Sequence, residues 1–335
     1  MKRIISLLLA LALSLSLAAC AAPAEKADGG KLQIVTTLFP YYDFARAIAQ
    51  DRADVTLLLS PGREAHSFEP TPLDAVTISE ADVFLYNGGE GEYWVESMLD
   101  AAGEHIAVAS RMMDYVDALN EEYVEGMQGA DGHDHDHEHG SHDDHDHDHE
   151  EDEHDSDEIE YDEHIWTSPK NAVVLCRAVC DAICRADAEN AAFYRANCEN
   201  YCAQLEDLDA RFAALCESAP RRLLIFADRF PMLYFCREYG LDYRAAFHGC
   251  SDDTEPSLAT IKFLIDKVED ENIPVVYTID FGTKKVAAVV SECTGAAIET
   301  LYSMQTVSRA DFDAGETYLT LMERNFEALR KGLNE

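Results

Sequence analysis

The stretch AENAAFYRANCENYCAQLEDLDARFAALC, residues 188–216, stands between two halves of the chain that share one pattern. Its bulky apolar residues recur at three, four or eight positions, as expected for one face of a helix. They are Phe193, Tyr201, Leu205, Leu208, Phe212 and Leu215. At 1.5 Å per residue this helix would be roughly 40 Å long, about the span of two small lobes. We therefore predict a helix that braces two lobes.

Short β-branched runs alternate with helical patterns on both sides of this helix. The first half has predicted strands at 32–37, 55–59, 83–86 and 105–109, and helices at 41–49, 71–80 and 93–100. The second half has strands at 222–226, 243–247, 274–279 and 297–301, and helices at 231–239, 257–270, 284–293 and 315–333. This alternation predicts an α/β fold with parallel sheets, in which ligands bind beyond the carboxyl ends of the strands.

The first 20 residues have the pattern of a processing signal. Lys2 and Arg3 precede an apolar run from Ile4 to Leu17, which is short for a membrane span. The run ends in Leu-Ala-Ala-Cys, which resembles a bacterial lipobox and implies lipid attachment at Cys20. Ordinary secretion, with Cys20 a chance residue, is the alternative. Residues 21–31 are small and polar, as expected for a flexible tether.

Composition points to cations as partners. The chain has a formal charge of −39, and 18 acids but no Lys or Arg lie between Asp131 and Glu163. Removing the signal leaves 65 acids against 24 Lys and Arg, a net charge of −41. Nucleic acid and anionic lipid surfaces are therefore disfavoured.

A run of alternating His and acid occupies residues 131–160, and nine of the 13 histidines lie in it. Imidazole suits Zn²⁺, Cu²⁺ and Ni²⁺, and the run has too few apolar residues to be buried. We predict a disordered, metal-attracting loop, with a solvated acidic spacer as the alternative. Its histidines are His133, His135, His137, His139, His142, His145, His147, His149 and His154.

Two further histidines stand at the edges of predicted structure. His66 lies in PGREAHSFEP, residues 61–70, directly after the second strand and thus at its carboxyl end. His164 follows the His-rich run and precedes a helix that Ser168 can cap, with Pro169 at its first position. A lone loop His is usually an exposed surface residue. The nearby metal-attracting run favours a ligand role for both.

Five motifs follow one another along the chain: EAHSFEP (64–70), EHIWTSP (163–169), YGL (239–241), TEPS (254–257) and AGETYLTLMERN (314–325). In this order they resemble the zinc-binding lipoproteins of bacterial ABC importers, over about residues 32–333. The resemblance implies two Rossmann-like lobes, a rigid linking helix, and one Zn²⁺ or Mn²⁺ held between the lobes. It also implies ABC permease and ATPase subunits as partners and an extracytoplasmic location. The first two ligands would be His66 and His164.

The third ligand is where the chain departs from this pattern. Family members place a His or a Glu at the start of the helix that follows the first strand of the second lobe. Here residues 225–231 contain no His, so Asp228 becomes the candidate, because carboxylates can ligate zinc. Asp228 as a helix cap, or as an ion-pair partner of Arg229, remains open.

For the fourth ligand we consider Asp280, which stands at the end of a predicted strand. Glu255 and His248 lie on the same rim, and for them we favour a helix cap and a surface His. A water or one loop His is a further alternative. The predicted units are a signal (1–20), a tether (21–31), an N-terminal lobe (32–130), the loop (131–160), linking helices (161–217) and a C-terminal lobe (218–335).

Nine cysteines remain beyond Cys20. Cys176, Cys180 and Cys184 are spaced by four, as are Cys198 and Cys202, so each set lies on one helix face. A thiolate zinc site is conceivable, but we favour small buried residues, with one or two disulfides between paired helices.

The resulting hypothesis is a monomeric lipoprotein that captures Zn²⁺ and delivers it to a membrane permease. A Mn²⁺-binding relative and a surface zinc buffer or adhesin are the alternatives. The chain has no H-E-x-x-H and no G-x-S-x-G motif, which disfavours an enzyme.

Overall fold

The computed structural model describes residues 30–65, 68–103, 106–129, 160–251 and 255–334. Cys20, His66 and the nine loop histidines lie outside the described residues, so the predictions on them stay predictions. Among the helices that are described, none is long and apolar enough to span a bilayer.

The first half folds into a four-stranded parallel sheet. Its strands are β1 (Leu32–Thr36), β2 (Ala53–Leu57), β3 (Val83–Tyr86) and β4 (Val108–Arg111), in the order β2-β1-β3-β4. Helices α1 (Phe39–Ala49), α2 (Pro72–Ser79) and α3 (Trp94–Ala102) alternate with them. Thr71 caps α2 with a capping box closed by Asp74, as its sequence predicts. β4 begins three residues later than predicted.

Two long helices follow the His-rich run. α4 spans Pro169–Ala186 and begins at the predicted cap, where the Ser168 side chain accepts a hydrogen bond from the Asn171 N–H. α5 spans Ala191–Ser218, and its 28 residues correspond to about 42 Å. The predicted helix is thus confirmed, with bounds shifted by two or three residues.

The second half repeats the first. Its strands are β5 (Leu223–Phe230), β6 (Asp242–His248), β7 (Val275–Ile279) and β8 (Ala297–Leu301), parallel and in the order β6-β5-β7-β8. Its helices are α6 (Leu233–Tyr239), α7 (Leu258–Asp270), α8 (Lys285–Thr294), α9 (Arg309–Ala314) and α10 (Tyr318–Asn334). The predicted fold class, two βα lobes and a long linking helix, is confirmed.

Two boundaries in this half differ from the prediction. β5 continues to Phe230 through a register shift between Phe226 and Arg229, so Asp228 lies inside a strand and not in a loop. The helix predicted over 315–333 is α10, which begins three residues later, and it is preceded by a short helix, α9, that was not predicted and that ends where Gly315 adopts φ 77°.

α5 contacts both lobes, as a brace requires. Asn197 donates from Nδ2 to the carbonyl of Ile48 in the first lobe, at 2.8 Å. Asp209 accepts a hydrogen bond from the Tyr239 hydroxyl of the second lobe, also at 2.8 Å. The linking helix is therefore fixed to the two lobes by side chains on its own surface.

A buried carboxylate ties three helices together beside this brace. Asp43 of α1 is 2% exposed, and its Oδ2 accepts from the Tyr201 hydroxyl of α5 at 2.6 Å and the Tyr318 N–H of α10 at 2.9 Å. Because a buried carboxylate is costly unless it is hydrogen-bonded, this junction depends on both donors.

Candidate metal centre

His164 is held in a fixed orientation by its neighbours in the chain. The ring is 2% exposed, and its Nδ1 lies 3.2 Å from Oδ1 of Asp162. The same carboxylate oxygen accepts the backbone N–H of His164 at 2.7 Å. A carboxylate on Nδ1 selects the tautomer that presents Nε2 as a ligand, the usual arrangement behind a metal-binding imidazole.

Charges around His164 favour a cation. Burial is the largest single influence on the pKa of His164 and lowers it, but Asp162, Glu121 and Glu163 together raise it above its ordinary value. Burial raises the pKa of Asp162, and the His164 ring opposes that rise. Oδ2 of Asp162 is buried and has no hydrogen-bond partner among the described residues.

His164 borders a small cavity that is lined by residues of both lobes. Every strand that contributes does so from its carboxyl end, as predicted for this fold. The lining residues are Glu64, His164, Arg229, Pro231, Gly249, Ile279, Phe281, Ser303, Gln305 and Thr306.

Glycine at position 249 is required by the close approach of the backbone to this site. A Cβ there would lie 2.9 Å from the Phe230 carbonyl oxygen, 3.1 Å from His164 Nδ1 and 3.2 Å from Asp162 Oδ2. Any side chain would push into the His164–Asp162 pair.

Asp228 is not among the residues that line this cavity. Its Oδ2 accepts from the Thr278 hydroxyl at 2.6 Å and its Oδ1 from the Arg229 N–H at 2.9 Å, and it borders a second cavity beside Gly282. It caps no helix, since Met232 stands at the start of α6. The guanidinium of Arg229 instead pairs with Glu64 at 3.0 Å. Asp228 is therefore neither a helix cap nor the ion-pair partner of Arg229.

Asp280 lies beside the cavity, directly after β7. The residues on either side of it, Ile279 and Phe281, both line the cavity. Its Oδ1 accepts the N–H of Ser303, another lining residue, at 3.2 Å. Burial raises the pKa of Asp280 to about 7, the behaviour of a carboxyl that would gain from a nearby cation.

Two further expectations for the rim are wrong. Glu255 caps no helix: the side chain of Ser257 caps α7, and Glu255 is exposed, 3.7 Å from Lys285. His248 is not a surface residue. Its side chain is 14% exposed and its Nδ1 lies 3.7 Å from Oε1 of Glu121.

Glu121 and His248 stand at the base of the His-rich run. An antiparallel bridge between Asn120 and Tyr161 brings the two ends of that run together. Burial alone would raise the pKa of Glu121, but hydrogen bonds with the His248 and Cys250 side chains lower it below its usual range. The His164 ring adds to this lowering, so the loop base and the His164 site share one electrostatic environment.

Sequence reasoning missed Glu64, Glu121 and Asp162 as members of this site. Asp162 and Glu64 each stand two residues before a predicted ligand, His164 and His66, which is a usable signal. Glu121 offers none, because only the bridge at the loop base brings it to His248.

The fold and this geometry define a two-lobed α/β protein with side chains capable of ligating a metal near the ends of its strands. The model of the zinc-uptake complex component A (ZnuA) family, described as periplasmic, matches residues 34–332, so the chain belongs to that family.

Curated relatives support the assignment. The chain is 31% identical to the high-affinity zinc uptake system protein ZnuA of Bacillus subtilis, over 91% of this chain and 88% of that protein. It is 30% identical to the zinc-binding lipoprotein AdcA of Streptococcus pneumoniae, over 99% of this chain but 61% of AdcA. The chain therefore spans about three fifths of AdcA.

Solved structures share the architecture. The metal-dependent lipoprotein YcdH from Bacillus subtilis superposes with a TM-score of 0.72 at 29% identity, covering 90% of this chain and all of that one. The Zn(II)-bound ZnuA-like domain of Streptococcus pneumoniae AdcA gives 0.71 at 26% identity, covering 91% and 100%.

Proposed function

We propose that the protein captures Zn²⁺ in the cavity beside His164 and delivers it to an ABC importer made of a permease and an ATPase. The observation that carries this proposal is the buried His164–Asp162 pair at a cavity enclosed by the strand ends of two lobes. Membership of the zinc-uptake family and relatives named for zinc uptake and zinc binding support the choice of metal.

His66 is the second imidazole of the proposed site. Ala65 and Glu163, the residues directly before His66 and His164, line one common pocket. Glu64, two residues before His66, lines the cavity that also holds His164. The positions of Ala65 and Glu64, next to His66 in the chain, therefore support the convergence of His66 and His164 on one ion.

For the oxygen ligand we now prefer Asp280 to Asp228. The carboxylate of Asp228 is engaged by a hydroxyl and two backbone N–H groups, and a cation would have to displace them. Asp280 stands between two residues that line the cavity, and burial raises its pKa. Two imidazoles and one carboxylate suit Zn²⁺, whereas Mn²⁺ prefers more oxygen ligands.

The His-rich loop would collect ions and pass them to the cavity. Its base carries Glu121 and His248, and the electrostatic influence of His164 extends to Glu121. An ion released from the loop would therefore meet an acid and an imidazole before it reaches the buried pair. We further propose attachment to the outer face of the membrane by a lipid on Cys20, action as a monomer, and no enzymatic activity.

Zinc titration of the mature chain against a chromophoric chelator tests the proposal. We expect one tight cavity site that is lost in His66→Ala and in His164→Ala. Deletion of residues 132–158 should remove only weaker, additional sites. Unchanged tight binding by the double His variant would exclude the cavity as the zinc site. Zn²⁺ against Mn²⁺ competition on the same protein checks the choice of metal.

A further inference from the structure

Five cysteines form a continuous buried cluster between α4 and α5, away from the cavity. Cys176, Cys180 and Cys184 come from α4, and Cys198 and Cys202 from α5. None of these side chains is more than 7% exposed. Because α4 and α5 run antiparallel, two pairs of cysteines at i and i+4 face each other across the helix interface.

Distances in the cluster match those of a metal–thiolate centre. The Sγ atoms of Cys176, Cys198 and Cys202 all lie within 4.8 Å of one another. The Cys198 and Cys202 sulfurs are 3.8 Å apart. Zinc–sulfur bonds of about 2.3 Å in a tetrahedron place neighbouring sulfurs about 3.8 Å apart. The helix pair thus holds these sulfurs near coordinating distance.

A fourth sulfur stands at the edge of this triad. Cys180 follows Cys176 by one helical turn on the same face of α4, the helix whose Cys176 carbonyl oxygen accepts from the Cys198 thiol at 3.8 Å. Cys184 is farther out, 3.9 Å from Cys180, and donates to the Ala191 carbonyl oxygen.

We propose that Cys176, Cys198 and Cys202, with Cys180 as the fourth thiol, bind one thiophilic metal ion, Zn²⁺ or Cu⁺, as a permanent structural site. Each coordinating thiol exchanges its proton for a sulfur–metal bond, the protons pass to solvent, and no electron is transferred. The ion would join the two helices that connect the lobes.

This site differs from the cargo site in donor set and in access. The cavity offers imidazole and carboxylate and is open to exchange. The thiol cluster offers only sulfur, and its four members are at most 3% exposed, so an ion there would enter during folding and stay. The thiol cluster is thus expected to keep its ion when cargo zinc is removed by a chelator.

The test uses the full mature chain, produced under reducing conditions in medium supplemented with Co²⁺, Zn²⁺ or Cu⁺. Thiolate-bound Co²⁺ gives a charge-transfer band that imidazole and carboxylate sites lack. We expect that band at one equivalent, unaffected by His66→Ala with His164→Ala. Native mass spectrometry of the Zn²⁺ and Cu⁺ preparations identifies which ion the cluster retains after chelator treatment.

Cys216→Ser is the matched control for Cys198→Ser and Cys202→Ser. Cys216 lies on the same helix and is 1% exposed, as is Cys202, but it lies outside the cluster. The charge-transfer band should disappear in the two cluster variants and persist in Cys216→Ser, with circular dichroism showing that all three are folded. If a cluster variant fails to fold, Cys180→Ser replaces it in the test. Because Cys180 stands at the edge of the cluster, this substitution should shift the charge-transfer band without abolishing it.

Two results would overturn the proposal. The first is that the chain folds and is produced with metal, but shows no thiolate–metal band, although alkylation and mass spectrometry show that its four cluster thiols are reduced. The other is a disulfide between α4 and α5 in protein purified without air, which would assign the cluster to covalent cross-linking instead.

Discussion

Replacing Asp162 by Asn tests how the His164 ring is prepared for zinc. The Asp162 carboxylate is fully buried, faces Nδ1 of His164 at 3.2 Å and accepts its backbone N–H at 2.7 Å. Asn keeps the shape but removes the charge, and its amide can turn an N–H toward Nδ1, which favours the tautomer with a protonated Nε2. Loss of such a supporting carboxylate weakens metal binding about 10–100-fold, or about 1.4–2.7 kcal/mol.

The assay is chelator competition at pH 7 on a chain that lacks residues 132–158, so that only the tight site is measured. Glu163→Gln is the matched control. It makes the same charge change one residue away, but that carboxylate accepts the Gly91 N–H at 2.8 Å. Equal zinc affinity in Asp162→Asn and the parent would refute the positioning role. Equal losses of zinc affinity in Asp162→Asn and Glu163→Gln would show that only the net charge near the site matters.

Further predictions concern the ligands, the cavity and the fold. Asp280→Asn should weaken zinc binding by at least about 100-fold in the same titration, and Asp228→Asn should leave it nearly unchanged while lowering the melting temperature. Arg229→Gln removes a cation from the cavity wall and should tighten zinc binding by about 1 kcal/mol, roughly fivefold, because the guanidinium repels the bound Zn²⁺. Weaker zinc binding by this variant would contradict a repulsion between Arg229 and the ion. Burial raises the pKa of Asp43, so the folded protein binds the carboxyl proton more tightly than the unfolded chain does. This stabilisation is fully present below about pH 4 and is lost as the pH rises through the folded-state pKa. Urea unfolding of Asp43→Asn should lack that decline, and identical pH slopes in both proteins would contradict it.

Local signals in the sequence were enough to predict the fold. Pro40, Pro169, Thr71 and Ser168 mark helix starts by chemistry that acts within one turn, and the helices begin there. The long linking helix was predicted because its apolar stripe has a helical period over many turns. β5 was predicted too short, because Asp228 and Arg229 look like loop residues and only pairing with β6 extends the strand.

The site was less predictable, because its members meet only in the folded chain. Asp280 was chosen from its place at a strand end, and His164 because it follows the His-rich run. His164 lines the cavity, and Asp280 stands between two residues that line it. Asp228 was preferred because of its position in the sequence, but tertiary hydrogen bonds direct its carboxylate to Thr278. His248 looked like a surface His, since no local pattern connects it to Glu121, which is 127 residues earlier.

Anomalous scattering at the zinc edge, from crystals of the zinc-loaded mature chain, tests the central claim most directly. We predict one strong peak in the cavity, about 2.0–2.1 Å from a ring nitrogen of His66 and of His164 together. A map with zinc only in the His-rich loop or at the thiol cluster, or with the two rings on separate ions, would contradict it.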